Sequence, residues 1–315
     1  MNITLDKNGW TVIVRDFDIA KATKDDIDIL GCLVASQTLV IIKGPQNLTI
    51  EQEERIAKSF GITVDQLPAS ETFYFPQYHQ MVKEGTHPFI IPGSTIINRV
   101  SAQKDDKGRV GLFGNLKVHG WHCNKIGYPN RRGIVWLRGM YGTKGSETWF
   151  TNHIAAYQDM PTKLKERLQG LHIIYKAGAA SALQASMEKT VDKVIKYDGM
   201  TEAEKNYRPP VIHTAKSGIT ALSLSWIQFG KFEELSQKKS DILLAEVKDF
   251  VLGNPKYMYK FNWEDGDLLL ADQWFGVHMR PEFHGMENRL LHRIETDYDH
   301  IDFSKMPQAL QLLQI

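Results

Sequence analysis

Apolar positions along this chain fall mostly in short runs separated by turn residues, and only a few stretches carry helical spacing. Val12 to Val14, just after Trp10, is a β-branched run that predicts a first strand. Thr23 to Asp26 then opens a helix. Thr23 caps it, Asp26 puts a carboxylate in the positively polarised first turn, and the spacing Ile27, Leu30, Val34 gives one buried face. Leu39 to Ile42, ended by Lys43-Gly44-Pro45, reads as a buried strand. Thr49 to Gln52 has the form of a capping box, with Gly61 as the stop of the helix it starts.

From Phe73 to Gly93 the pattern weakens and Pro76, Pro88 and Pro92 punctuate it, which predicts a long loop of the kind that serves as a lid or binding loop. Ile96 to Val100 reads as a strand and Lys104 to Gly108 as a turn. Gly133 to Met140 and Thr148 to Thr151 read as strands joined by a turn at Gly142 to Gly145. Pro161 begins a helix running to Leu168, with Gly170 beyond it. Residues 178–210, rich in small residues and then in charge, read as an insertion, an excursion from the sheet. Val211 to His213 and Ile219 to Leu224 predict a hairpin. Ser240 to Leu252 predicts a helix with Ile242, Leu243, Val247 and Phe250 inward. Alternation over Tyr257 to Trp263, a turn at Asp265-Gly266, and the runs Asp267 to Ala271 and Leu290 to Ile294 complete the set. With no repeat, low-complexity tract or linker, the pattern implies one domain over 1–315. Its class is α+β or mainly β, an antiparallel core decorated by helices.

Composition narrows the function classes. Lysine plus arginine (38) nearly equals aspartate plus glutamate (37), so global charge makes no case for nucleic acid or an anionic membrane. The two cysteines, Cys32 and Cys123, are too few for a disulfide scaffold and too far apart for a cysteine-rich zinc site. Met1 to Gly9 lacks the apolar core of a secretion signal, and no run is long enough to span a bilayer. The expectation is a cytoplasmic protein with no membrane partner. The predicted helix at 240–252 serves equally as cover for a sheet or as the interface of a homo-oligomer.

Three segments carry candidate chemistry. In Trp121-His122-Cys123-Asn124, residues two apart share a side on an extended chain, so His122 and Asn124 face one cavity and Cys123 packs the other way. His278 follows the strand that ends near Asp272. Arg289 and Arg293, four apart, share a face of the last strand, and His292 alternates away from both. Two histidines and a carboxylate on one side of a ferrous ion leave three sites open for a cosubstrate and dioxygen, and a nearby arginine binds a dianionic acid by a forked, charge-assisted pair. The bland readings are a hydrogen-bonded histidine, an asparagine in a turn, a surface ion pair of Arg289 with Glu287, and a structural pair for Arg293 inside the barrel. Thr148 is, on its own, an ordinary strand threonine.

Over Leu39 to Ile294 the sequence resembles the taurine dioxygenase (TauD/TfdA) family of Fe(II)- and 2-oxoglutarate-dependent oxygenases. The resemblance rests on 121–124, on Gly145 to Phe150, on Pro161 to Leu171, on Phe261 to Leu268, and on His278 with Asn288 to Arg293, in that order and spacing. It implies a double-stranded β-helix (jelly roll) core, with His122 and His278 as iron ligands. It further implies Thr148 and Arg289 on 2-oxoglutarate, Arg293 on the anionic group of a small-molecule substrate, and dioxygen as co-reactant. The implied reaction is hydroxylation with release of succinate and CO2. The chain departs from the family's His-x-Asp at Asn124, an uncharged amide in place of a carboxylate. Three readings stay open there: a weak ligand in a working enzyme, a vacated position as in halogenating relatives, or a catalytically silent protein that binds an organic acid.

Overall fold

The computed structural model describes residues 1–67, 78–106, 108, 110–113, 119–124, 133–176, 206–282, 285–286 and 288–313. Chain order gives β1 (Asn2–Leu5), β2 (Val12–Arg15), α1 (Lys24–Gln37), β3 (Leu39–Ile42), α2 (Ile50–Phe60), α3 (Tyr78–Lys83), β4 (Asn98–Val100) and β5 (His119–His122). Next come β6 (Ile134–Tyr141), β7 (Glu147–Asn152), α4 (His153–Asp159), α5 (Thr162–Leu168), β8 (Ile173–Tyr175), β9 (Ile212–Thr214), β10 (Thr220–Leu222) and β11 (Phe229–Phe232). The last are α6 (Gln237–Leu252), β12 (Met258–Asn262), β13 (Leu268–Asp272), β14 (Gly276–Arg280), β15 (Leu290–Thr296) and α7 (Met306–Gln311).

Two sheets make the core. One has seven strands in the order β1-β2-β3-β13-β6-β15-β4, the other four in the order β12-β7-β14-β5. Pairing is antiparallel except between β2 and β3. Alternation along the strands sorts residues between layers. In β13, Leu269 and Ala271 enter the core between the sheets while Leu268 and Leu270 pack outward against the early helices; β3 does the same with Leu39 and Ile41 against Val40 and Ile42. Strands covered on both faces read as unbroken apolar runs, which is why these two were visible in the sequence. The second sheet is backed by α4, α5 and α6 through a cluster that includes Leu164, Val247 and Val277. The result is the double-stranded β-helix with flanking helices, its cavity between the two sheets.

Local signals behave largely as their chemistry dictates. Thr23 and Asp26 close a capping box on α1: Asp26 N–H donates to Thr23 Oγ1 at 3.2 Å and Thr23 N–H to Asp26 Oδ2 at 2.9 Å. Thr49 and Gln52 do the same on α2. Gly61 ends α2 in extended rather than left-handed backbone. A Cβ there would sit 2.3 Å from the Asp297 carbonyl oxygen, so close chain approach is what requires glycine.

Several expectations need correction. The loop expected over 73–93 contains the helix α3, and its first part lies outside the described residues. The inward face of α6 is Ser240, Leu243, Val247 and Val251. Ile242 is 59% exposed and Phe250 only partly buried, because the buried stripe runs through positions 240, 243, 247 and 251 and both residues fall beside it. The excursion at 178–210 lies mostly outside the described residues. Among the described residues no helix is long and apolar enough to cross a membrane.

Candidate active site

A cavity of about 60 Å³ lies between the sheets. From the small sheet, His122, Thr148, His278 and Arg280 line it; from the large sheet, Val135, Leu137, Leu291 and Arg293 do. Asn124, Arg289 and Phe113 enter from connecting segments. The site residues taken from 122 to 293 therefore converge on one space.

Strand pairing explains the convergence. β14 runs antiparallel to β5, and His278 is the Cα partner of His122. Paired residues on neighbouring strands present side chains to the same face, and the two rings stand 4.3 Å apart between centroids at 52°. Two imidazoles ligating one ion at about 2.1 Å, roughly at right angles, place their centroids about 4–5 Å apart. His122 Nδ1 donates to the Gly120 carbonyl at 2.7 Å, which sets the tautomer that offers Nε2 to a metal.

Asn124 completes the cluster. Its backbone N–H donates to Gln273 Oε1 at 2.9 Å, and Cys123 N–H donates to Ser225 Oγ at 3.3 Å, so the turn after β5 is held from two sides. The Asn124 side chain is only 8% exposed, and its Nδ2 has no hydrogen-bond partner. A buried N–H donor left unsatisfied costs free energy and invites an acceptor, while the amide oxygen is the atom able to bind a metal. The donor set of two imidazoles and an amide fits a divalent ion, with one charge fewer than a carboxylate would bring. Among the described residues no three His, Cys, Asp or Glu side chains group as metal ligands, as follows when the third position is asparagine.

Guanidiniums share the cavity with these ligands. Arg289 is 5% exposed, and its Nε donates to Ser146 Oγ at 3.0 Å; Ser146 in turn donates to the Thr143 carbonyl at 2.7 Å. Burial, with the like charge of Arg280, presses the Arg289 guanidinium down to about 9, and burial alone brings Arg280 to about 10. Both remain cationic near neutrality. Thr148 Oγ1 accepts from Trp263 Nε1 at 3.0 Å, which leaves its hydroxyl hydrogen to donate to a ligand.

Arg293 lines the cavity but pairs with Glu295 at 2.6 Å, both buried. His292 points to the far side of the sheet, where Nδ1 meets Glu53 Oε2 at 2.9 Å. Cys123 is buried in the cluster behind the small sheet. Trp226 belongs to that same cluster and Trp274 stacks on His213, so neither is a cavity wall. The side chain of His119, as well as His284 and Glu287, lie outside the described residues. Sequence reasoning missed Arg280 and Phe113. Arg280 was within reach of it, since a residue two after His278 on a strand shares its face.

A family model described as taurine catabolism dioxygenase TauD, TfdA family matches residues 7–294. The chain belongs to that family. TauD/TfdA proteins are Fe(II)- and 2-oxoglutarate-dependent dioxygenases, and this protein is an oxidoreductase of that kind. Pentalenolactone F synthase of Streptomyces arenae is 22% identical over 210 residues, 64% of this chain and 68% of that one. The α-ketoglutarate-dependent 2,4-dichlorophenoxyacetate dioxygenase of Cupriavidus pinatubonensis is 24% identical over 296 residues, 90% and 93% of the two chains. The crystal structure of AAD-2 with Mn(II) and N-oxalylglycine superposes with a TM-score of 0.67 at 18% identity, over 94% of this chain and 97% of that one.

Proposed function

We propose that this TauD/TfdA protein hydroxylates a small organic anion, with His122, Asn124 and His278 holding ferrous iron and Arg289 with Thr148 holding 2-oxoglutarate. When bound, the iron and its chelating cosubstrate supply activation of dioxygen, coupled to decarboxylation of 2-oxoglutarate to succinate and CO2. One oxygen atom goes to succinate and the other to the substrate C–H bond, so the reaction balances without a further reductant.

The chain's own residues do the rest. His122 and His278 supply neutral nitrogen donors, one oriented by the Gly120 carbonyl. Asn124 supplies an uncharged oxygen. Ser146 fixes the fork of Arg289, which would pair with the far carboxylate of the cosubstrate, and the Thr148 hydroxyl would donate to the cosubstrate. Val135, Leu137 and Leu291 supply apolar wall that excludes water around the target carbon. An anionic substrate suits the cavity because Arg280 and Arg289 line it beside the Glu295-paired Arg293, and among the described residues no carboxylate does. Dichlorophenoxyacetate, for which one relative is named, is such an anion.

The observation that carries this reading is the pairing of His122 with His278 in a cavity that also holds Arg289. The test is spectroscopic. Protein mixed anaerobically with ferrous ion and 2-oxoglutarate is expected to show a visible metal-to-ligand charge-transfer band, and admission of oxygen to yield succinate. Binding of 2-oxoglutarate with no metal uptake and no succinate would instead describe a silent organic-acid-binding protein.

A further inference from the structure

We infer that Arg280, on β14, anchors the anionic group of the primary substrate, a carboxylate or sulfonate. The inference rests on reading the cavity as an iron and 2-oxoglutarate site, and assigns within it a residue that none of the foregoing roles uses.

Strand geometry comes first. Arg280 follows His278 by two positions on β14, so both project into the same cavity, their Cα atoms roughly 6.6 Å apart. A long guanidinium side chain rooted there reaches over the region beside a metal ion instead of on it. Its attachment is also specified. Arg280 Nη1 donates to the Phe113 carbonyl at 2.8 Å, and Phe113 holds a left-handed backbone, φ 52, that a bulky residue adopts only when its surroundings impose it. The Phe113 ring lines the same cavity. A strained turn thus presents its carbonyl to one arm of the fork and an apolar ring to the space beside it, the pairing of polar anchor and apolar wall that an organic anion needs.

The other two arginines come second. Arg293 pairs with Glu295 at 2.6 Å. Arg289 is fixed by Ser146 on the β15 side. Charge comes third. Asn124 contributes none of the negative charge a carboxylate would bring to a ferrous ion, so a guanidinium beside that ion favours a bound anion.

The experiment is a calorimetric titration of the anaerobic Fe(II)·2-oxoglutarate complex with 2,4-dichlorophenoxyacetate, taurine, butanesulfonate and hexanoate, and with neutral 2,4-dichlorophenoxyethanol as control. The carboxylate and sulfonate arms separate the two sources of anion. At least one anion is expected to bind, the neutral alcohol not. Arg280→Met should weaken that anion by at least about 10-fold while the affinity for 2-oxoglutarate changes less than about 3-fold; Arg280→Lys should retain part of the binding. Equal weakening of 2-oxoglutarate would place Arg280 in the cosubstrate clamp and overturn the assignment. So would unchanged anion affinity in Arg280→Met, or no anion bound by the wild-type complex. Melting temperature checks the fold of each variant; if Arg280→Met does not fold, Arg280→Lys decides by the same comparison. Failure of wild-type protein to bind 2-oxoglutarate at all would instead refute the underlying reading of the cavity.

Discussion

His122 and His278 are direct cross-strand partners between β5 and β14, with their rings 4.3 Å apart. Their separation in sequence is large, but one antiparallel pairing brings them together, so the proposed metal site is built on the small sheet itself. β14 is interior to that sheet, bonded to β7 on its other edge, where His278 is opposite Phe150.

Asn124 is the position where charge can be restored without disturbing shape. Asn124→Asp keeps the size of the side chain and places a carboxylate beside the two imidazoles. Iron affinity, measured by anaerobic competition with a chromophoric chelator, should tighten by at least about 10-fold, because a charged oxygen attracts a dication in a site of low dielectric. Unchanged affinity would remove position 124 from the ligand set.

Arg289 and Thr148 predict separate effects on the cosubstrate. Arg289→Gln should weaken 2-oxoglutarate by at least about 30-fold in equilibrium titration, as expected when a buried charge-assisted fork is lost, and leave metal affinity in the absence of 2-oxoglutarate near wild type. Thr148→Val should weaken it by a smaller factor. That change also strands the buried Trp263 Nε1–H, so it should lower folding stability by about 1–3 kcal/mol.

Behind the large sheet sits a buried ionic cluster remote from the cavity. Glu53, fully buried, accepts from Trp136 Nε1 at 3.0 Å and meets Arg138 Nη2 at 2.8 Å and His292 Nδ1 at 2.9 Å. It ties α2 to β6 and β15. Glu53→Ala leaves the Arg138 cation buried without its carboxylate and should cost about 3–5 kcal/mol in urea denaturation. A loss below about 1 kcal/mol would mean the cluster is solvated.

How much of this was legible beforehand depends on whether a feature is local. The capping boxes at Thr23 and Thr49, the doubly buried runs of β3 and β13, and the hairpin of β9 and β10 are written in neighbouring residues and were readable. His122, Asn124, His278, Arg289 and Thr148 were legible as a constellation because their order and spacing matched together, and the structure gathers them around one cavity. The Glu295 partner of Arg293 and the Phe113 turn that holds Arg280 depend on side-chain direction and backbone strain, which periodicity does not encode. The outward turn of Ile242 shows the same limit from the other side, since an apolar residue is buried only when the helix phase places it inward.

His153 makes stability depend on pH. It is fully buried at the start of α4, Nδ1 meets the Leu222 carbonyl at 3.2 Å, and Nε2 has no partner, so burial depresses its pKa from 6.5 to about 4. Between those values the unfolded chain takes up a proton that the folded chain refuses. Stability therefore falls as pH drops from about 6.5 toward 4, by an amount on the order of 3 kcal/mol at most, and levels off below. His153→Gln should flatten that part of the profile in denaturation curves collected from pH 7 to 4.5; an unchanged slope would assign the effect to other groups.

The measurement closest to the central claim is ion binding by His122→Ala, His278→Ala and the double variant, titrated anaerobically with ferrous ion in the presence of 2-oxoglutarate. One ion per wild-type chain is expected, with each single variant at least about 100-fold weaker and the double variant little worse than either, since both rings serve one ion. Stoichiometric, tight binding that survives either single change would contradict the account.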